Sequence, residues 1–161
     1  MARMIFVNLP VRDLDRSIAF YRAVGAEQNM QFSDQTAAMM SFSPEINVML
    51  LTHDKYRQFT SKPIADALSS SQALLCLSCE SRGDVDDTVA KAAAAGGQPD
   101  TGAVQDHGWM YGRSFEDLDG HHWELVWMDM AGLGEAQAAE GAPGATPPDA
   151  PDAVQAAVRA E

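Results

Sequence analysis

The sequence has few basic residues for its length. Its 161 residues include 11 Lys and Arg but 23 Asp and Glu, which gives a net charge of −12 at pH 7. Nucleic-acid backbones and anionic membrane surfaces both select basic patches. The composition therefore argues against either partner, and it weakly favours a neutral or cationic ligand over an anionic one.

Long hydrophobic runs are also missing. No run approaches the roughly 18 apolar residues that cross a membrane. Near the amino terminus, Asn8 and Pro10 interrupt the apolar stretch that a signal peptide requires. We therefore expect a cytoplasmic location.

Cysteine is scarce, and the two that occur, Cys76 and Cys79, have the spacing C-x-x-C. This spacing indicates redox or zinc chemistry when it lies on a turn or at a helix start. Here it lies in ALLCLSC, residues 73–79, which reads as a strand, so the two side chains point to opposite faces. We expect both cysteines to be buried structural residues.

The first half of the chain predicts one helix followed by three strands. A β-rich run at residues 4–9 precedes a helix over residues 14–24, with Asp13 as N-cap and Gly25 as the stop. Leu14, Ile18 and Tyr21 form its apolar stripe. Strand-like segments follow at residues 26–32, 36–42 and 46–52.

The second half repeats this order. A strand at residues 73–79 precedes a helix over residues 83–95, which Ser81 or Asp84 could cap. Strand-like segments follow at residues 98–104, 109–116 and 121–129. Each half is therefore β-α-β-β-β.

Two further segments have a different character. Residues 53–72 have the length of a connection that crosses between the halves and could cover a site. Residues 131–161 are rich in Ala, Pro, Gly and Glu and bury too little apolar surface to offset their ordering entropy, so we predict a disordered tail.

Glu124 is the most informative residue of the last strand. The turn Asp119-Gly120 leads into an alternating run in which Trp123, Leu125 and Trp127 share one face. Glu124 lies on the other face, where a carboxylate needs a partner if it is buried.

The paired modules, together with VRDLDRSIAFY at residues 11–21 and EDLDGHHWELVW at residues 116–127, resemble the vicinal oxygen chelate superfamily. That superfamily includes glyoxalase I, extradiol dioxygenases, and fosfomycin- and bleomycin-resistance proteins. The resemblance implies an α+β fold in which two βαβββ modules form a curled, cup-shaped mixed sheet with the helices on its outer face. We place this domain at residues 1–130, with modules at about residues 4–52 and 73–129.

Metal-dependent members of the family carry one ligand on each of four strands. By alignment to the two motifs these positions fall at Phe6, Leu50, Leu74 and Glu124, and only Glu124 can bind a metal. The resemblance therefore implies a divergent member without the usual metal, and we expect no cofactor. A relocated zinc site of Cys76, His122 and Glu124 is a less favoured alternative. His53 and His107 could contribute only if the fold brings them in, and His121 is assigned to turn geometry.

The cup predicts a small-molecule site with an apolar lining and a few polar groups. On this reading the first strand sends Phe6 and Asn8 into the cup, while the fourth sends in Val48 and Leu50. Tyr111 and Arg113 share a face that the sequence does not identify. The candidate ligand-binding residues are Phe6, Asn8, Leu50, Leu74, Cys76, Tyr111, Arg113, His122 and Glu124.

Three functions remain open at this point. The first is a metal-independent protein that binds a small, largely apolar molecule, with Glu124 as a polar anchor paired with Arg113, Asn8 or His122. The second is an enzyme of the lactoylglutathione-lyase or dioxygenase type, in which Glu124 is the catalytic base or the sole retained metal ligand. The third is a dimeric interaction module.

Overall fold

Two open sheets with helices alongside organise the part of the chain that the computed structural model describes, residues 3–132. The predicted α+β fold of two βαβββ modules is confirmed. The predicted tail lies almost wholly outside the described residues. Within residues 3–132, every helix is too short or too polar to span a bilayer.

The first sheet has the strand order β1-β4-β3-β2. β1 pairs with β4 in parallel, and β3 pairs antiparallel with both β4 and β2. Its elements are β1 (Ile5–Val11), α1 (Leu14–Ala23), β2 (Glu27–Asn29), β3 (Ala37–Ser41) and β4 (Ile46–Thr52).

Local sequence signals set the limits of α1 as expected. The Asp13 side chain accepts a hydrogen bond from the Arg16 amide at 3.0 Å, which caps the first turn. Gly25 follows the helix with φ of +100°, which an L side chain rarely adopts. β2 is shorter than predicted because Asn29 caps a 3₁₀ turn at Met30–Phe32.

The second sheet has the order β5-β9-β8-β6, with β7 also paired to β8. Its helix α3 begins after Ser81, whose hydroxyl accepts from the Asp84 amide at 3.0 Å. The elements are β5 (Leu74–Ser78), α3 (Arg82–Ala94), β6 (Gln98–Pro99), β7 (Gln105–Asp106), β8 (Met110–Glu116) and β9 (His122–Met128).

Both modules share one hydrophobic core. From α1, Phe20 and Tyr21 pack against Phe115 and Trp123 of the second sheet, with ring centroids 5.9 and 6.0 Å apart. From α3, Val85 is fully buried in the same cluster. The α1 helix therefore joins the modules by packing against both sheets.

A buried polar network crosses this core. The Tyr21 hydroxyl donates to Asp117 at 2.7 Å and accepts from the Trp123 indole at 3.0 Å. Burial raises the pKa of Asp117, although His121 and three hydrogen bonds act in the opposite direction. This network fixes the turn before β9 against α1.

The chain between the modules forms a separate layer, which we call the connecting segment, residues 53–73. It begins with a short helix α2 (His53–Tyr56), and no regular element follows until β5. Its backbone at Ala67 and Leu68 lies against Gly120, where an added Cβ would approach within 2.7 Å. The segment therefore packs directly on the Asp119-Gly120 turn.

Candidate functional site

The predicted faces of β5 and β9 are confirmed. Leu75 and Leu77 pack against the core, whereas Leu74 is 59% exposed and Cys76 is exposed. Glu124 pairs in register with Cys76 on one side and Ser114 on the other, so it lies on this open face.

The predicted orientation of β4 is wrong. Leu50 is fully buried in the core, because it is in register with Leu9 of β1 and Ala38 of β3, which face α1. Val48 is buried in the same way, and Met49 lies on the opposite face. Leu50 therefore cannot line the open side of the sheet.

Tyr111 and Arg113 lie on the face of β8 that packs on α3, so their side chains point away from the face of the sheet that carries Glu124. The Arg113 guanidinium donates to Asp86 of α3 at 2.8 Å and to Asp100 at 2.7 Å. Tyr111 donates to the same Asp86 at 2.9 Å. These contacts lower the pKa of Asp86, with the Arg113 hydrogen bond as the largest cause.

None of the partners expected for Glu124 forms a hydrogen bond with it. Arg113 is held by the two aspartates, and the His122 ring contacts the Thr101 hydroxyl at 3.2 Å. Among residues 3–132 the Glu124 carboxylate has no hydrogen-bond or ion-pair partner, although its main chain is paired with both neighbouring strands. Its charge and burial together raise the pKa of Cys76, with burial as the larger cause.

The two cysteines differ from each other. They are free thiols on opposite faces, as the strand geometry predicts. The expectation that both are buried is wrong for Cys76, which is exposed. Burial raises the pKa of Cys79 to about 11, with Asp84 as a further cause.

A cavity lies between the modules, and we call it the central pocket. It has a volume of about 530 Å³ and is enclosed by β1, the starts of β5 and β9, and the connecting segment. Of the predicted ligand-binding residues, Asn8 and His122 line it. Phe6 (47% exposed), Leu74, Cys76 and Glu124 do not.

Sequence reasoning missed most of this lining. Its apolar part includes Leu9 and Ile64, and its charged groups are Lys62 and Glu116. More than half of the lining comes from residues 56–73, where irregular sequence gives no periodicity from which side-chain direction could be predicted. The only available signal was the length of the connection, which suggested a cover over a site.

A smaller cavity of about 370 Å³ lies on the other side of the same segment, and we call it the lateral pocket. Arg12, His53 and Asp119 are among its lining residues. His121 lines both cavities, and its Nε2 lies 2.9 Å from the Pro10 carbonyl oxygen. Because its amide also donates to Asp117, His121 fixes the turn to the first module.

Comparison with known proteins places this architecture in a family. The family model described as Glyoxalase/Bleomycin resistance protein/Dioxygenase superfamily matches residues 3–125. The chain belongs to this superfamily. No match was found among curated proteins.

Several solved structures share the fold. A hypothetical protein, SA1046, from S. aureus is 25% identical, with a TM-score of 0.66 over 79% of this chain and 94% of that chain. A family enzyme from Burkholderia phytofirmans PsJN has a TM-score of 0.65 at 19% identity, covering 80% of this chain and 100% of that one. The fosfomycin resistance protein FosX from Listeria monocytogenes has a TM-score of 0.58 at 17% identity, covering 81% and 94%.

The residues at the superfamily's four strand positions do not fit a metal. Phe6 and Leu74 carry hydrocarbon side chains, and Leu50 points into the core. Within residues 3–132, no group of three or more His, Cys, Asp or Glu side chains has a metal-binding arrangement, which includes the set Cys76, His122 and Glu124. The lack of a metal cofactor stays a prediction.

Proposed function

We propose that this superfamily member binds a small, largely apolar organic molecule in the central pocket, without the usual metal as its anchor. The volume of about 530 Å³ is within the range of small-molecule sites. The observation that carries the proposal is that this one cavity combines Asn8 of the first module, His122 of the second and the connecting segment between them.

The lining favours a neutral ligand. Val7, Leu9 and Leu75 supply apolar surface from the two edge strands. Lys62 and Glu116 contribute one formal charge of each sign, so the pocket has no strong preference for an anion or a cation. Asn8 and His122 offer hydrogen-bonding groups that can orient a hydroxyl or a carbonyl.

Glu124 is not the polar anchor in this proposal, although the sequence predicted that role for it. It lies two residues from His122 on the same face of β9, but it does not line the pocket. We therefore assign the polar anchoring on β9 to His122. A cytoplasmic location stays the expectation from the sequence.

A panel of neutral apolar probes, including hexanol and benzyl alcohol, tests the proposal by thermal shift and calorimetry. At least one probe should raise the melting temperature, because a ligand that binds only the folded state stabilises it. The exposed Ala73 lines the pocket, so Ala73→Phe should abolish that shift by filling the cavity.

Ala103→Phe is the matched control, since Ala103 is also exposed and lies outside both pockets. It should leave probe binding unchanged. If no probe binds, or if both substitutions weaken binding equally, the central pocket is not the ligand site.

A specific observation favours an enzyme as the second candidate. The Glu124 carboxylate has no hydrogen-bond or ion-pair partner among residues 3–132, and the residue is only partly exposed between Cys76 and Ser114. A carboxylate without a partner is available as a general base. Turnover of hemithioacetals or catechols that disappears in Glu124→Gln supports this candidate, and turnover unchanged by the substitution removes Glu124 from catalysis.

The edge strands favour a homodimer as an additional property. β1 and β5 end their sheets, and Ile5 (55% exposed) and Leu74 (59% exposed) lie outside the lining of the central pocket. Exposed apolar edges are suited to pairing with another chain. Sedimentation velocity should give a dimer at micromolar concentration, and a monomer at all concentrations would exclude it.

A further inference from the structure

Part of the connecting segment stands between two cavities. Residues 63–67 separate the central pocket, of about 530 Å³, from the lateral pocket, of about 370 Å³. Pro63, Ile64, Ala65 and Ala67 line both. We call residues 63–70 the strap, because part of this backbone has open space on both sides and is held by fewer contacts than a backbone inside a core.

The strap has no helix or strand to stabilise it. Its own hydrogen bonds centre on Asp66, whose carbonyl accepts from the amides of Ser69 and Ser70 at 3.0 Å. The Asp66 carboxylate also accepts from the Leu68 amide at 3.3 Å. These contacts shape the strap locally but do not attach it to the sheets.

An ion pair attaches the strap to the body of the protein. The Arg12 Nη2 atom lies 2.8 Å from Asp66 Oδ1. Arg12 is itself fixed, because its amide donates to Asp119 Oδ1 at 3.0 Å and its Nη1 lies 3.8 Å from the same atom. The second attachment is the close contact of Ala67 and Leu68 with Gly120.

We propose that the strap is a gate over the central pocket and that the Arg12–Asp66 ion pair is its latch. Ligand enters and leaves when the pair opens and residues 63–70 move into the space of the lateral pocket. Arg12 acts as a positioning residue through Asp66 and does not contact the ligand. The inference rests on the proposed function for its ligand, but the motion of the strap can be measured without one.

Both partners are about half exposed, with side-chain exposures of 48% for Arg12 and 54% for Asp66. An ion pair of that exposure is weak, which suits a latch that opens often. Removing the ion pair should therefore raise the rate at which the strap opens by roughly two- to fivefold, without unfolding the protein.

Asp66→Asn is the test substitution because it removes the charge and keeps the oxygen that accepts from Leu68. Asp54→Asn is the matched control: Asp54 pairs with Arg57 at the same 2.8 Å, on the same connecting segment, but lines neither of the two pockets that flank the strap. Amide hydrogen exchange without ligand should be faster at residues 64–70 in Asp66→Asn only. Equal exchange in the wild type and both variants would overturn the gate.

Stopped-flow binding of the neutral fluorescent probe N-phenyl-1-naphthylamine measures passage through the gate. Asp66→Asn should raise the association and dissociation rate constants by similar factors, with little change in Kd. Raising NaCl to 1 M, where the Debye length is about 3 Å, should speed binding in the wild type and not in Asp66→Asn. Rates equal to those of Asp54→Asn, or a change in Kd alone, would overturn the latch.

Hydrogen exchange without ligand and the binding of the probe test the gate and the ligand site separately. Faster exchange without binding of any probe would retain a mobile strap and reject the ligand proposal. Probe binding with unchanged exchange and unchanged rates would retain the ligand site and reject the gate.

Discussion

Glu124 and Cys76 are neighbours across β9 and β5, and the charge of Glu124 affects the pKa of the Cys76 thiol. Burial is the larger cause of the raised pKa of Cys76, and the negative charge of Glu124 is the second. Glu124→Gln removes the second cause, so the fraction of Cys76 present as thiolate should increase.

Alkylation by iodoacetamide at pH 8, followed by mass spectrometry of the Cys76 peptide, measures this change. We expect the rate to rise roughly twofold or more in Glu124→Gln, since an unscreened unit charge a few ångströms away is worth about 1 kcal/mol in water. Glu116→Gln, on the same face of the second sheet, should leave the rate unchanged. Equal alkylation rates in all three proteins would show that the charge of Glu124 does not affect the Cys76 thiol.

Asp117 is the buried carboxyl that links the two modules through Tyr21. Its pKa is raised above 3.8 mainly by desolvation, so ionisation is less favourable in the folded state than in the unfolded one. Its contribution to stability is therefore complete below the unfolded pKa and is lost as the pH rises through the raised value.

Asp117→Asn removes this pH-dependent loss. Urea unfolding of both proteins between pH 3 and pH 8 measures the difference in their free energies of unfolding. The wild-type value minus the variant value should fall as the pH rises. The carboxyls whose pKa values are lowered, such as Asp86 and Asp106, are common to both proteins and cancel in the difference. A difference that is flat, or that grows with pH, would contradict the assignment to Asp117.

At the scale of elements, the turn before β9 and the connecting segment are a packed pair. Gly120 has φ of +91°, and an added Cβ would lie 2.7 Å from backbone atoms of Ala67 and Leu68. Gly25 has a similar φ of +100°, but an added Cβ there would meet nothing within 4 Å. The two glycines therefore separate backbone strain from steric contact.

Gly25→Ala should lower the free energy of unfolding by about 1–2 kcal/mol, the cost of a left-handed residue with a Cβ. Gly120→Ala should lower the free energy of unfolding by clearly more than Gly25→Ala, because the backbone of the strap must also move. It should weaken probe binding in the central pocket as well, which Gly25→Ala should not. Equal losses of stability, measured by urea unfolding, would show that the strap does not press on the turn.

The elements themselves were largely predictable, and the failures have physical causes. In β9 the alternation of core-facing and outward-facing residues was clear, because Glu124 lies between Trp123 and Leu125 of the core face. Both faces of this strand were therefore predicted correctly. β4 reads Ile-Asn-Val-Met-Leu-Leu-Thr, and Leu50 and Leu51 are both buried, so apolar residues on both faces remove the signal. β6 ends at Pro99, because proline cannot donate to a ladder and Asp100 then adopts φ of +51°.

At the scale of the whole molecule, the sequence identified the superfamily but not the cavity. The motifs at residues 11–21 and 116–127 are local patterns, which is why the resemblance could be read without a structure. The central pocket depends on how β1, β9 and an irregular connection meet, and of its lining only Asn8 and His122 were anticipated. The net charge of −12 is not repeated in the central pocket, where Lys62 and Glu116 carry one formal charge of each sign.

The most direct test of the account is a map of amide chemical shifts as hexanol is added to the ¹⁵N-labelled protein. Binding in the central pocket predicts the largest shifts at Asn8, His122 and the strap, with saturation at a single site. Largest shifts at Leu74, Cys76 and Glu124 would place the ligand on the open face of the second sheet instead, and would contradict the central claim.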